Sequence, residues 1–198
     1  MKILHYSLGL PPARSGGLTR YATDLMTAQC DRHQVALLYP GRWQPFCGRV
    51  RVRRGKDYGD VAVYELINPL PVPLSYGVRE PDDFLRAKKL DRSSLEAFYE
   101  QVRPDVLHLH TWMGLPAGVL DFLKGKGVKV LFTTHDYYGI CPRFSLVDAR
   151  GVPCGAPEAV RCASCNAAAP SSVWLRLRGS RLALRLKEWG FLRKWIGR

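Results

Sequence analysis

The pattern of apolar and polar positions divides the chain into short strands and amphipathic helices. Residues 2–7, Lys-Ile-Leu-His-Tyr-Ser, form an apolar run of strand length. A loop rich in glycine and proline follows over residues 8–17. Leu18, Tyr21, Ala22, Leu25 and Met26 then recur at three- and four-residue spacing, which is the repeat of a helix. Residues 35–39 read as a second buried strand, closed by Pro40-Gly41. Arginine and valine alternate over residues 49–53, which predicts a strand with one face in solvent. Residues 61–67 predict another strand, and residues 68–81, with four prolines, a loop. A helix is expected over 82–102, with Phe84, Leu85, Leu95 and Phe98 on its apolar side. Strands at 106–110 and 128–134 flank a helix at 115–123 that stops at Lys124-Gly125-Lys126-Gly127. Residues 141–172 read as irregular, and the chain turns helical again from Val173. Strands that alternate with helices and glycine-rich turns predict an α/β fold, a Rossmann-like doubly wound and mostly parallel sheet.

Composition narrows the class. The 198 residues are 46% hydrophobic and 24% charged, enough apolar material for one packed domain and an appendage. No apolar run approaches the roughly 18 residues of a membrane span. The N-terminal stretch before Pro11-Pro12 is too short for a secretory leader, so a cytoplasmic protein with reduced thiols is expected. Formal net charge is +13, and its location matters more than its size. Residues 171–198 hold Arg176, Arg178, Arg181, Arg185, Lys187, Arg193, Lys194 and Arg198 against Glu188, a net of +7. The chain therefore divides into a domain at 1–170 and a basic, amphipathic helical tail at 171–198. Tryptophans and leucines interleave with these arginines, as in helices that lie on anionic lipid. The other reading of the tail is a helix packed on its own domain, with arginine stems covering apolar surface.

Three clusters carry candidate chemistry. Gly16-Gly17 stand between the first strand and the first helix, where a backbone can approach a phosphate. A G-x-G-x-x-G fingerprint is absent, which disfavours a dinucleotide enzyme. His110 and His135 end two strands at the predicted cleft edge, the former followed by Thr111 and the latter by Asp136. His108, one pleat deeper, reads as a hydrogen-bonded core histidine. Cys141, Cys154, Cys162 and Cys165 finish in a C-x-x-C pair. They point to a structural zinc site, to unligated thiols in a packed loop, or to a redox pair.

The opening from Lys2-Ile3-Leu4 through Gly16-Gly17-Leu18-Thr19-Arg20-Tyr21 resembles that of family 4 glycosyltransferases. So do Asp105-Val106-Leu107-His108-Leu109-His110-Thr111 and Thr133-Thr134-His135-Asp136-Tyr137-Tyr138. The run from His135 through Cys141-Pro142, with Cys154 and Cys162-Ala163-Ser164-Cys165, resembles a subset of that family. Over nearly all of residues 1–165 the chain is similar to the N-terminal, acceptor-side domain of a retaining GT-B enzyme. The resemblance implies that Gly16 and Gly17 contact the diphosphate of a nucleotide-sugar held by a second domain. It implies that His135 lies beside the donor sugar and the reacting hydroxyl, as the catalytic position. His110, Thr111 and Asp136 become candidates for binding a saccharide or lipid-linked acceptor.

Nothing in the sequence resembles the family's nucleotide-binding second domain. The expectation is therefore an N-terminal half that is inactive until a C-terminal donor half joins it. No pair of carboxylates can be assigned as acid and nucleophile. The chemistry would rest on stabilising the leaving diphosphate and positioning the acceptor, without a cofactor. A lipid-linked acceptor would suit peripheral contact of the tail with the inner face of the membrane. The rival reading is a zinc-stabilised basic module that binds nucleic acid or an anionic membrane surface. The chain carries no recognisable recognition helix or RNA-binding signature, so no nucleic-acid partner is expected.

Overall fold

The computed structural model describes residues 1–85, 88–178 and 183. Strand β1 (Lys2–Tyr6) lies at the centre of a six-stranded sheet. It pairs in parallel with β2 (Gln34–Pro40) on one side and β5 (Val106–Leu109) on the other. Beyond β2 lie β4 (Ala62–Ile67), also parallel, and β3 (Arg51–Arg54), antiparallel at the edge. Beyond β5 lies β6 (Lys129–Phe132), again parallel. The order is β3-β4-β2-β1-β5-β6, so the sheet is mostly parallel and Rossmann-like, as the alternation of elements predicts.

Two layers of helix cover the sheet. Helix α1 (Gly17–Cys30) connects β1 to β2 and packs Met26 against Val35, Leu37, Val61 and Val63. Helices α3 (Arg92–Val102) and α4 (Ala117–Gly125) cover the opposite face. There Leu95, Phe98, Val102, Val119 and Leu123 meet Leu4, Tyr6, Leu38, Leu66, Leu107 and Leu109 in the larger core cluster. Strand alternation sends Leu4 and Tyr6 to that layer and leaves His5 for the α1 side. The register then aligns Val63, Leu37, His5, His108 and Leu131 in one row across five strands.

The helix expected over 82–102 is divided in two. Helix α2 (Asp82–Leu85) is short, and the chain runs extended before α3. Leu90 bridges Val50, with Val50 N–H donating to the Lys89 carbonyl and Asp91 N–H to that of Val50, both at 2.8 Å. Asp91 then caps α3, its carboxylate accepting from Ser94 N–H at 3.2 Å and the Ser93 hydroxyl at 2.7 Å. The segment expected to be irregular contains helix α5 (Ala159–Asn166) and a Val147–Pro153 bridge.

Helix α6 (Ser172–Arg178) begins the basic tail and docks on the domain. Ser172 N–H donates to Glu80 and its hydroxyl to Asp83, Arg176 pairs with Asp83 at 3.6 Å, and Trp174 meets Tyr76 edge-on. Leu175 is buried and Arg178 lies over the Tyr76 ring. In this part of the tail the packed reading holds, with arginine stems against aromatic surface. The tail residues on which the lipid-surface reading chiefly rests, Trp189, Arg193 and Trp195 among them, lie outside the described residues. Among the described residues no helix is long and apolar enough to cross a membrane.

Candidate active site at the carboxyl ends of three strands

In an open α/β sheet the crevice forms where neighbouring connections leave in opposite directions. Here that point lies between β1 and β5: α1 carries the chain toward β2, and α4 carries it toward β6. The loop after β1 ends in Gly16-Gly17, β5 runs into His110-Thr111, and β6 runs into His135-Asp136. Three neighbouring strands thus deliver all of the cleft residues read from the sequence to the same edge of the sheet.

The glycine turn is built for close approach. Gly16 is the N-cap of α1 at φ 124 and ψ 171, a conformation that L side chains rarely adopt. No side chain caps the helix, and no acidic residue stands in its first turn. A Cβ at either Gly16 or Gly17 would meet nothing within 4 Å, so both face open space. The unpaired N–H groups of a helix N-terminus attract anions. Arg14, in the same loop, has its pKa lowered by burial and by the neighbouring positive charge of Arg178. Arg14 stands two residues before Gly16 and adds to the positive potential of the turn.

The histidines form a line. His110 N–H continues the sheet ladder by donating to the Tyr6 carbonyl at 2.9 Å, which fixes its ring on the α1 side. Its Nε2 meets His5 Nδ1 at 2.9 Å, and its Nδ1 meets His135 Nε2 at 3.2 Å. His5 Nε2 in turn meets Gln29 Oε1, on the last turn of α1, at 2.7 Å. His108 is buried beside this line, with Nε2 on the Thr133 hydroxyl at 2.7 Å, as expected of a core histidine. Burial lowers the His5 imidazole to about 4 and, together with the neighbouring histidines, that of His110 to about 3. Both are neutral at physiological pH, so the line carries hydrogen bonds and no buried charge. His135 is half-buried, and Tyr21 covers it edge-on at a ring separation of 4.8 Å.

His5, His108 and His110 have ring nitrogens within 4.8 Å of one another, close enough to suggest a metal site. The geometry favours hydrogen bonds instead. The His5 and His110 rings are nearly coplanar, 9° apart, with centroids at 5.2 Å. That separation equals the 2.9 Å contact plus the reach of each ring to its nitrogen, so the two lone-pair directions oppose each other on one line. A proton fits between them. A zinc ion, with bonds of about 2.0–2.1 Å to each imidazole, does not.

The other candidates separate. Thr111 is buried, and its hydroxyl accepts from Met113 N–H at 3.1 Å within a turn. His110 is 1% exposed with both nitrogens engaged, so it reaches the crevice only through His135. Asp136 accepts from Tyr138 N–H at 3.0 Å and shapes the turn behind His135. Burial, helped by the Asp136 charge, pushes the Tyr138 phenol up to about 12. Cys141, Cys154, Cys162 and Cys165 are free thiols. Among the described residues no three of them lie close enough together to share a metal ion. Cys162 and Cys165 sit on α5, and Arg143 donates to the Cys165 carbonyl at 3.4 Å, joining the two arms of the loop.

Sequence reasoning missed His5, Gln29 and Tyr21. His5 gave half a signal, a polar residue between two core residues of a strand, but its alignment with His108 comes from the β1–β5 register. Gln29 and Tyr21 gave none, because a polar and an aromatic residue on an amphipathic helix are ordinary.

Comparison with known proteins gives one assignment. The sequence model described as Glycosyltransferase Family 4 matches residues 15–161. No curated protein and no solved structure matches the chain. The matched segment begins at the glycine turn, spans all of α1 and both histidine strands, and runs into the cysteine loop. With a crevice of this make at its strand ends, the chain belongs to glycosyltransferase family 4.

Proposed function

We propose that this chain forms the acceptor-side wall of a glycosyltransferase that takes a nucleotide-sugar as donor. The carrying observation is the convergence of Gly16-Gly17, Tyr21 and His135 at one sheet edge, with Tyr21 and His135 in ring contact. In this reading the α1 N-terminus, with Arg14 in the loop that leads into it, stabilises the leaving diphosphate. His135 holds the reacting sugar and orients the attacking hydroxyl of a saccharide or lipid-linked acceptor. The nucleotide itself is bound by a donor domain facing this wall. Support for such a partner comes from β6, where Val130, Leu131 and Phe132 are all exposed although they continue the core rows. The chemistry needs no cofactor, because preorganised N–H dipoles and cations act on the departing phosphate.

A transfer assay with radiolabelled nucleotide-sugars tests this. The protein is assayed alone and joined to a family 4 donor domain, against saccharide and lipid-linked acceptors. Incorporation that requires the donor domain and is lost in His135→Ala is expected. Incorporation that the His135→Ala protein matches would overturn the role given to His135.

A further inference from the structure

The histidine line has a direction. An imidazole that is neutral carries one N–H, and the other nitrogen accepts. At the buried end, His5 Nε2 faces the amide oxygen of Gln29 at 2.7 Å, and an oxygen only accepts. His5 must therefore hold its proton on Nε2, leaving Nδ1 bare. That bare nitrogen, at 2.9 Å from His110 Nε2, requires the His110 proton on Nε2. His110 Nδ1 is then bare and accepts from His135 Nε2 at 3.2 Å. The His110 and His135 centroids are 5.5 Å apart, again the contact plus the reach of the two rings, so this bond is also in line. The line runs beside α1 from Gln29 in its last turn to Tyr21 near its first, eight residues or about 12 Å of helix.

We infer that Gln29, His5 and His110 are positioning residues that hold His135 in the Nε2–H tautomer, so that its bare Nδ1 is the nitrogen free to accept from a ligand hydroxyl. The inference rests on the reading of His135 as the residue that meets the reacting sugar. It adds the mechanism by which a residue on the far side of the core selects which nitrogen does so. Burial supports it, because a second proton on His5 or His110 would set two donors against each other along the line.

Nitrogen-15 NMR of imidazole-labelled protein at about pH 8, where an ordinary imidazole is neutral, reads the tautomers directly. In the wild type, His5, His110 and His135 should all show a protonated Nε2 and a bare Nδ1. Gln29→Glu, which only accepts, should preserve the three patterns. Gln29→Lys, which only donates, should reverse them, moving the His135 proton to Nδ1. A wild-type His135 protonated on Nδ1 would overturn the inference. So would the same His135 tautomer in folded Gln29→Glu and Gln29→Lys proteins. The wild-type spectrum decides even where a variant fails to fold.

Transfer activity separates the two layers of the argument. Gln29→Lys should lower kcat by about 100-fold or more with little change in donor KM, while Gln29→Glu stays near wild type. Tautomers that switch without any change in transfer would leave the line standing and overturn the catalytic reading of His135. Fixed tautomers, with transfer still lost in His135→Ala, would do the reverse.

Discussion

The two faces of one sheet are built to different rules. On the side of α3 and α4, the inner strands present Leu4, Tyr6, Leu107 and Leu109, and helix residues fill the space between them. On the α1 side the same strands present His5, His108 and His110, one residue out of phase. The first face is held by apolar burial, which is non-directional and tolerant of repacking. The second has its own apolar cluster around Met26, but at β1 and β5 it is held by hydrogen bonds whose donors and acceptors must match in sequence. A buried polar row costs more to assemble than an aliphatic one and stabilises less. What it supplies is orientation, delivered to the strand ends where the glycine turn opens.

Breaking each face should therefore give different losses. The largest is expected at His135. His135→Ala should reduce transfer by about 10²- to 10⁴-fold, the range of a positioned proton-transfer group, and shift unfolding free energy by about 1 kcal/mol or less. Steady-state kinetics beside urea denaturation checks both halves. Next comes the apolar face. Leu107→Ala should cost about 2–5 kcal/mol in urea denaturation, because the buried side chain leaves a cavity under α3 and α4. On the histidine face, His5→Leu should cost less, about 1–3 kcal/mol, by leaving Gln29 and His110 unpaired.

The same contrast predicts a pH dependence. The pKa values of His5 and His110 fall to about 4 and about 3 in the folded chain, against an ordinary value near 6.5. Between those limits the unfolded chain binds more protons than the folded one, so stability rises with pH through that window. Their contribution is complete above about pH 6.5 and is lost as pH falls toward about 4 for His5 and about 3 for His110. Denaturation midpoints of the wild type should drop over this interval more steeply than those of a folded His5→Leu protein. An equal slope in the two would contradict the buried, neutral line.

The smallest effect on stability is expected at Gly17. Gly17 has an ordinary helical backbone and open space around it, so Gly17→Ala should change stability by about 0.5 kcal/mol or less. Gly16→Ala should cost more, about 1–3 kcal/mol, because of its φ of 124°. If transfer falls in Gly17→Ala while the melting temperature holds, the added methyl acts on the ligand and not on the fold.

Local repeats made much of this architecture legible. The alternation in Val106-Leu107-His108-Leu109-His110 placed both histidines on one face, and the glycine turn marked the start of α1. The break at Leu90-Asp91 was not legible, because it depends on Val50, forty residues away, offering a strand edge that competes with the helix. The burial of Thr111 and His110 escaped for a related reason. Position at a strand end indicates nearness to a crevice, but a neighbouring side chain, here His135, decides which residue faces it. His5 needed the β1–β5 register, which periodicity within one strand does not contain. Cys154 follows the Val147–Pro153 bridge and Cys162 and Cys165 lie on α5, and the spacing of the cysteines in sequence does not encode how those two arms meet.

The most direct test of the crevice is a titration of the isotope-labelled protein with a nucleoside diphosphate sugar at millimolar concentration, followed by amide and imidazole shifts. Saturable changes are predicted at Gly16, Gly17, Tyr21 and His135, with none at Leu90, Gly118 and Gly125 in the groove between α3 and α4 on the opposite face. Changes confined to that groove, or no saturable change at the glycine turn, would contradict the account.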